Sequence, residues 1–419
     1  MVQACQREKR KSGGKDSMTL PVEGIKVVDL TQWFVGSVSS GILAEWGADV
    51  VKIESPQGGD PLRGILASGV VPVGSFNYFW ALANRNKRSV VVDLTQERGK
   101  EILYKLVEKA DVFVSNFRMG SLERLKLDYD NVVRMNPRLI YAHANAYGQQ
   151  GPEKEKPGFD ETAFWARGGF MDVLGEPGTP PVPLHGAIGD LTTSLFLLGG
   201  IMSALYVRER TGMGQVVNTS LLGCGVWVMG LQVQVNLATG QGMLRESRTA
   251  HTNPLYNMYR AQDGKWFQLS MLQSDRYWPG LCQAIGRENL EHDPRFDSHE
   301  NRSKNHKLLI ALLDEVFATK PWQEWRDLFD QYGIVYGAAS SIAEVAADPQ
   351  VWENGYITEV EDPRVGRVGL MDCPIQLRQT PGQIRDLGPE LGQHTEEVLL
   401  ELGYTWDDIA ALKGQKVIG

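Results

Sequence analysis

Two aspartates stand where a carboxylate could do covalent chemistry. Asp160 follows Gly158 and Phe159 and opens the run DETAFWARGG, residues 160–169. A carboxylate set among apolar side chains loses hydration, and removal from water raises its reactivity as a nucleophile toward an acyl carbon. The same residue type ahead of an apolar run also fits a helix N-cap, where a side-chain oxygen accepts from an unsatisfied backbone N–H. Residue physics leaves both readings open. Asp190, at the head of a long apolar run, carries the same pair of readings, cap or catalytic group. The basic turn Asn84-Arg85-Asn86-Lys87-Arg88 could meet phosphates, or it could be a solvated surface turn.

Other chemistries find no support. The first strand is followed by Gly36, Gly41 and Gly47, whose spacing is wrong for a dinucleotide fingerprint. No phosphate-binding P-loop, H-E-x-x-H zinc helix, G-x-S-x-G elbow or calcium loop is present. The seven histidines include no i, i+4 pair. No metal site and no permanently bound cofactor is expected.

The elements that must position these residues read as alternating strands and helices. GIKVVDL (24–30), ADVVKIE (48–54), SVVVDL (89–94), DVFVSNF (111–117) and RLIYAHANAYG (138–148) are apolar strand patterns. Helical patterns lie between them, at 35–47 and 96–109. That alternation predicts βαβ units and a parallel sheet, with ligands at the carboxyl ends of the strands. The fold class expected is α/β: a large Rossmann-like domain over 20–225 and 345–419, with a smaller α/β domain over 226–344. The smaller one includes a hairpin at Asp263-Gly264. Residues 1–19, basic and glycine-bearing, read as a disordered leader. Thr395 reads as the N-cap of a helix in HTEEVLLELGY.

Composition sets the outer bounds. The chain has 419 residues, 42% hydrophobic and 22% charged, as an ordinary globular protein does. Forty-three Lys and Arg against 51 Asp and Glu give a net charge of −8, which argues against a nucleic-acid partner. Cys5, Cys224, Cys282 and Cys373 form no metal or disulfide pattern, which points to a reducing, cytoplasmic compartment. Two apolar stretches, 191–207 and 220–237, are long enough to test as membrane spans. Their glycines, hydroxyls and amides read instead as core helices, so no membrane partner is expected.

Taken in order, several segments resemble the class III CoA-transferases, the formyl-CoA transferase and crotonobetainyl-CoA:carnitine CoA-transferase type. They include GIKVVDLT (24–31), GILAEWGADVVKIE (41–54), NRNKRSVVVDL (84–94), ADVFVSNF (110–117) and NPRLIYAHANAYGQQGP (136–152). GFD (158–160), GD (189–190), RERTGMGQVVNTSLL (208–222), GIVYG (333–337) and LGQHTEEVLLELGY (391–404) continue the match to the end of the chain. DETAFWARGG looks most like the branch that acts on aryl or branched 2-hydroxy acids and their enoyl counterparts, the phenyllactate and 2-hydroxyisocaproate CoA-transferases.

The resemblance implies that Asp160 is the nucleophile and that coenzyme A thioesters are substrates. Transfer from an acyl-CoA donor to a carboxylic acid acceptor would run through aspartyl anhydride and aspartyl-CoA thioester intermediates. It also implies CoA contacts at Phe34, Val35, Asn84, Asn86, Lys87, Arg88, Asn116, Phe117, Arg118 and Arg124, and at Asn145, Ala146, Tyr147 and Gly148. An interlocked homodimer is implied as well.

Two family features are absent. Phe164 and Trp165 stand where formyl-CoA transferase has a glutamine, and TAHTNPLYN (249–257) replaces its glycine-run loop. Aromatics beside the carboxylate suit a larger apolar acyl group. Two alternatives share the fold: an α-methylacyl-CoA racemase, which would need a base where Phe159 stands, and a non-catalytic acyl-CoA-binding paralogue.

Overall fold

A computed structural model describes residues 20–69, 71–242 and 245–419. The expectation of a disordered leader over 1–19 lies outside the described residues.

Six strands form one parallel sheet: β1 (Lys26–Leu30), β2 (Asp49–Glu54), β3 (Arg88–Val91), β4 (Val112–Ser115), β5 (Ile140–Asn145) and β6 (Val216–Ser220). Their spatial order is β3-β2-β1-β4-β5-β6, so the order reverses between β1 and β4. In open α/β sheets the crevice beyond that reversal is where ligands bind. The first five strands start within two residues of the sequence reading, and β3, β4 and β5 end earlier than it. The trimmed residues, among them Asn116 and Phe117, are thereby released to the carboxyl edge, where Thr31–Trp33 follow β1.

The first five strands are buried along nearly their whole length because helices cover both faces, whereas the edge strand β6 is only partly buried. Helices α1 (Ser37–Glu45), α2 (Tyr78–Asn84) and α3 (Glu97–Lys109) follow the first strands in turn. Val28, Ile53, Val90, Ile102, Phe113 and Tyr141 form a core with Leu399, Ile409 and Leu412 from the C-terminal segment. Thr395 does not cap its helix, which lacks a side-chain cap at His394. Its hydroxyl instead accepts from the Val91 N–H at 3.0 Å and donates to the Gly392 carbonyl, which ties the C-terminal segment to β3.

The long helix α4 (Ile188–Thr211) lies against α1, β5 and β6. It is the one helix among the described residues that is long and apolar enough to cross a membrane. Its inner face buries Thr193, Ser194, Leu197, Ile201 and Ala204, and Arg208 near its end pairs with Asp111 at 2.7 Å. The second apolar stretch departs from the core-helix reading. It breaks into α5 (Leu221–Val228) and α6 (Gly230–Thr239), bent by 72°. No residue of α6 is buried, and Trp227 is 73% exposed.

The chain separates into two compact units. One holds the sheet and comprises residues up to Gly169, Leu184–Val233 and Trp352–Gly419. The other comprises Phe170–Pro183 and Gln234–Val351. These boundaries differ from the sequence reading of 226–344, because the loop 170–183 joins the second unit and residues 226–233 remain with the first. The second unit contains the antiparallel hairpin Tyr256–Arg260 and Trp266–Ser270, as the Asp-Gly turn predicts. Its core is built on aromatics, with Phe267, Phe317, Trp325 and Phe329 in mutual ring contact.

Candidate active site

Asp160 starts a wide π-type helical turn, Asp160–Ala166, that follows the extended residue Phe159. Such turns are rare and recur at functional sites. Ala163, Phe164 and Trp165 are buried and anchor the turn. Asp160 therefore does not cap the turn it opens. Its carboxylate accepts instead from a distant helix: from the Gly189 N–H at 2.9 and 3.1 Å, and from the Asp190 N–H at 3.3 Å. These are unsatisfied N–H groups in the first turn of α4, whose positive end favours an anion.

Both sequence readings thus meet in one residue, since the candidate nucleophile does cap a helix, but one 29 positions away. Gly189 makes the approach possible. A methyl group at its Cα would fall 2.2 Å from Asp160 Oδ1 and 2.3 Å from Phe164 Cγ.

The electrostatics of the pair follow from burial. Loss of water pushes the Asp160 carboxyl up to about 6; the Asp190 and Gly189 N–H bonds resist that rise, and Glu161 adds to it. Burial, with Asp160 and Glu161 nearby, pushes Asp190 up to about 7. Near neutrality Asp160 is largely a carboxylate, while Asp190 holds its proton about half the time. Both acids bind protons more tightly folded than unfolded, so each weakens the fold as pH rises through its folded value. Asp190→Asn removes this penalty. The melting-temperature gain of that variant over the wild type is expected to be larger at pH 8 than at pH 5; an equal gain at both would show that Asp190 is not raised.

A cleft of about 460 Å³ opens beside the pair. Of the predicted site residues, Val35, Asn116, Phe117, Arg118, Asn145 and Ala146 line it, together with Phe159 and Asp190. Arg124 lines a second cleft of about 330 Å³, which runs over the ends of β1–β4 past Leu94 and Thr95. Gln32, Phe117 and Ser121 border both clefts. The two are halves of one groove across the strand-order reversal.

The remaining predicted contacts sit elsewhere. Lys87 is buried and bound to Asp29 at 2.7 Å, to Asn84 and to Ser37, so it offers no charge to the groove. Arg88 is engaged by Asp49, Glu397 and Glu401 on the far side of the strand. Asn86 holds the 383–386 segment through the Gln383 carbonyl and the Arg385 and Asp386 N–H groups. Asn84 bonds to Ser37 and Lys87 inside the fold. Phe34 is buried against Phe79, with ring centres 5.7 Å apart. Tyr147 packs on Gly158, just ahead of the candidate nucleophile, and the Gly148 N–H bonds to Asn145. The basic turn NRNKR is thus a structural clasp; its cations meet carboxylates that the fold brings from far along the chain.

Phe164 and Trp165 are likewise corrected. They are 1% and 8% exposed and support Asp160 from beneath instead of facing an acyl group. Phe159, 60% exposed, takes that place at the cleft wall with Trp33, Met119 and Leu221. Gln32, Trp33 and Met119 escaped the sequence reading, as did Lys154 and Lys156. The first three had a signal, since they lie within a few positions of the carboxyl ends of β1 and β4. The two lysines lie in a Pro/Gly/Lys loop that carries none.

Known proteins share this architecture. The profile described as CoA-transferase family III matches residues 22–395. Cinnamoyl-CoA:phenyllactate CoA-transferase of Clostridium sporogenes is 32% identical over 398 residues, covering 94% of this chain and 96% of that protein. (R)-2-hydroxy-4-methylpentanoate CoA-transferase of Clostridioides difficile is also 32% identical over 398 residues, with 95% and 99% coverage. The crystal structure of a CaiB/BaiF family protein from Brucella suis is similar at a TM-score of 0.80 and 31% identity, covering 92% of this chain and all of that one.

Proposed function

The chain belongs to CoA-transferase family III, and we propose that it moves CoA between carboxylic acids with Asp160 as covalent nucleophile. The observation that carries this reading is the Asp160 carboxylate, buried between the cleft-lining residue Phe159 and the helix start at Asp190 and held by two backbone N–H groups. In the first step an Asp160 oxygen attacks the thioester carbonyl carbon of the donor. The C–S bond breaks, CoA leaves as thiolate, and an acyl-aspartyl anhydride remains. The thiolate then attacks the aspartyl carbonyl, expels the donor carboxylate and leaves an aspartyl-CoA thioester. The acceptor carboxylate attacks that thioester and releases the thiolate. Thiolate attack on the acceptor's acyl carbon finally frees the new acyl-CoA and restores Asp160. Dividing the exchange in this way holds the thioester's energy in an activated Asp160 carbonyl until the acceptor takes it up. A cleft that sheds water protects the anhydride from hydrolysis.

The groove supports an extended acyl-CoA. Its adenosine end would lie by Leu94, Thr95 and Arg124, with its pantetheine arm passing Gln32 and Phe117. Arg124, in the half that would hold the nucleotide, supplies a cation for its phosphates. Trp33, Val35, Met119, Phe159 and Leu221 give the cleft by Asp160 an apolar wall suited to a medium-sized aryl or branched 2-hydroxy or enoyl acid. Incubation with cinnamoyl, isocaproyl-type, succinyl and acetyl esters of CoA, followed by peptide mass spectrometry, tests the reading. A hydroxylamine-sensitive adduct on the Asp160 peptide is expected, strongest with the first two. No adduct with any ester, with deuterium exchange at the α-carbon instead, would replace the transferase with a racemase.

The homodimer is proposed with it. Trp227 and Leu231 on α5 and α6, and Tyr206 on α4, are 73%, 67% and 59% exposed. Apolar side chains left open in that number mark an association surface. Sedimentation velocity should give a dimer at micromolar concentration, and a monomer across the whole range would sink the proposal.

A further inference from the structure

The groove is walled by a loop whose backbone is strained. Between β1 and α1, Trp33 adopts φ of 59° and Gly36 φ of 79°. A left-handed conformation is uncommon for any residue with a side chain and disfavoured for a bulky one, so the surroundings must impose it. Gln32, Trp33 and Val35 of this loop all face the cleft beside Asp160.

Four fully buried charges lie directly beneath. Asp29 on β1 and Lys52 on β2 are partners in strand register, which sets both side chains on one face of the sheet. Asp29 binds Lys87 Nζ at 2.7 Å and lies 3.9 Å from Lys52 Nζ. Lys52 Nζ in turn meets Asp60 at 3.0 Å. The cluster holds two cations and two anions and is neutral as a unit. Burial pulls the Lys87 ammonium down to about 8, whereas Asp29 and Asp60 outweigh burial at Lys52 and hold it above the usual lysine range.

Every member reaches the loop or its flank. Asp29 Oδ1 accepts from the Thr31 N–H at 3.0 Å and from its hydroxyl at 2.5 Å. Lys52 Nζ donates to the Thr31 carbonyl at 2.9 Å. Asp60 Oδ1 accepts from the N–H of the strained Trp33 at 3.2 Å. Lys87 Nζ donates to the Ser37 carbonyl at 2.8 Å, where the loop enters α1. Asn116 closes the open side through the Gln32 N–H and the Gln32 and Val35 carbonyls.

We infer that Lys52 and Lys87 are positioning residues that, with Asp29 and Asp60, clamp residues 31–36 into the shape that receives acyl-CoA. The inference rests on the reading that the groove binds CoA esters. It explains why the basic turn's lysine points inward: it orders the ligand's wall without touching the ligand. A substitution that breaks the cluster leaves Asp160 and its N–H donors in place, so binding should suffer and chemistry should not.

Lys87→Met in the full chain tests this. Hydrogen exchange at residues 31–36, without any ligand, should lose at least about tenfold protection, while the 97–109 peptide keeps its own. The KM for acyl-CoA and the Kd for CoA should rise about tenfold with kcat within about twofold, a split that general loss of structure would not produce. Should the lone anion prevent folding, Asp29→Asn/Lys87→Met keeps the cluster neutral and should show the same loosening. Unchanged protection at 31–36, or a fallen kcat at unchanged KM, would overturn the inference. Wild-type protein that binds no CoA would instead refute the function reading, and the ligand-positioning role with it.

Discussion

Asp160→Ala is expected to lower CoA transfer by at least about 10³-fold while CoA binding stays within about threefold. The carboxylate is able to form both the anhydride and the thioester, and it ionises ahead of Asp190, whose carboxyl is raised further. The groove proposed to hold the nucleotide, by contrast, is built from other residues. Acyl-CoA should label the wild-type Asp160 peptide and leave the variant unlabelled. Because the attacking form is the ionised one and its carboxyl is raised to about 6, the labelling rate should climb with pH through that value and then level off. A variant that retains transfer would remove Asp160 from the mechanism. A rate that does not change between pH 5 and pH 7 would show that burial does not govern the nucleophile.

Gly189→Ala should be nearly as damaging although it removes nothing reactive. The added methyl would lie 2.2 Å from Asp160 Oδ1 and 2.3 Å from Phe164 Cγ, distances no packed atoms hold. Either the carboxylate or the helix start must move, and the N–H bonds at 2.9 to 3.3 Å are lost. Overpacking of this kind costs about 1–3 kcal/mol of stability. Misplacing a nucleophile by about 1 Å costs about 10²-fold in rate. A fall in kcat of about that size is expected, with a lower melting temperature. Activity within twofold of wild type would mean that the N–H groups of α4 do not hold the carboxylate during turnover.

The two expectations differ in how far the sequence anticipated them. Asp160 was legible from its place in a family pattern, since its neighbours alone left a cap and a nucleophile both open. Gly189 appeared only within GD, with no sign that its missing side chain mattered. Lys87 and Arg88 illustrate the opposite failure. A run of cations near a strand start reads as a phosphate site, but Arg88 pairs with Glu397 and Glu401, more than 300 positions away. No window of sequence contains those partners. Phe164 and Trp165 were read as suiting a larger acyl group because they stand beside Asp160, where formyl-CoA transferase has a glutamine; within the π-type turn they are buried, and Phe159 is left outside.

What the residues encode locally is the set of elements. Apolar strands alternating with amphipathic helices specify βαβ units, since side-chain periodicity depends only on near neighbours. The parallel sheet and the edge where ligands gather follow from that pattern, and the identity of the candidate nucleophile from the family motifs, whereas the strand order is a tertiary outcome. Tertiary structure decided which N–H groups hold Asp160, which cations reach solvent and which are buried in the clamp under residues 31–36. Each of those outcomes depends on charges and backbone groups from distant segments meeting in a space with little water. There an unpaired group is costly, and the partner is set by packing.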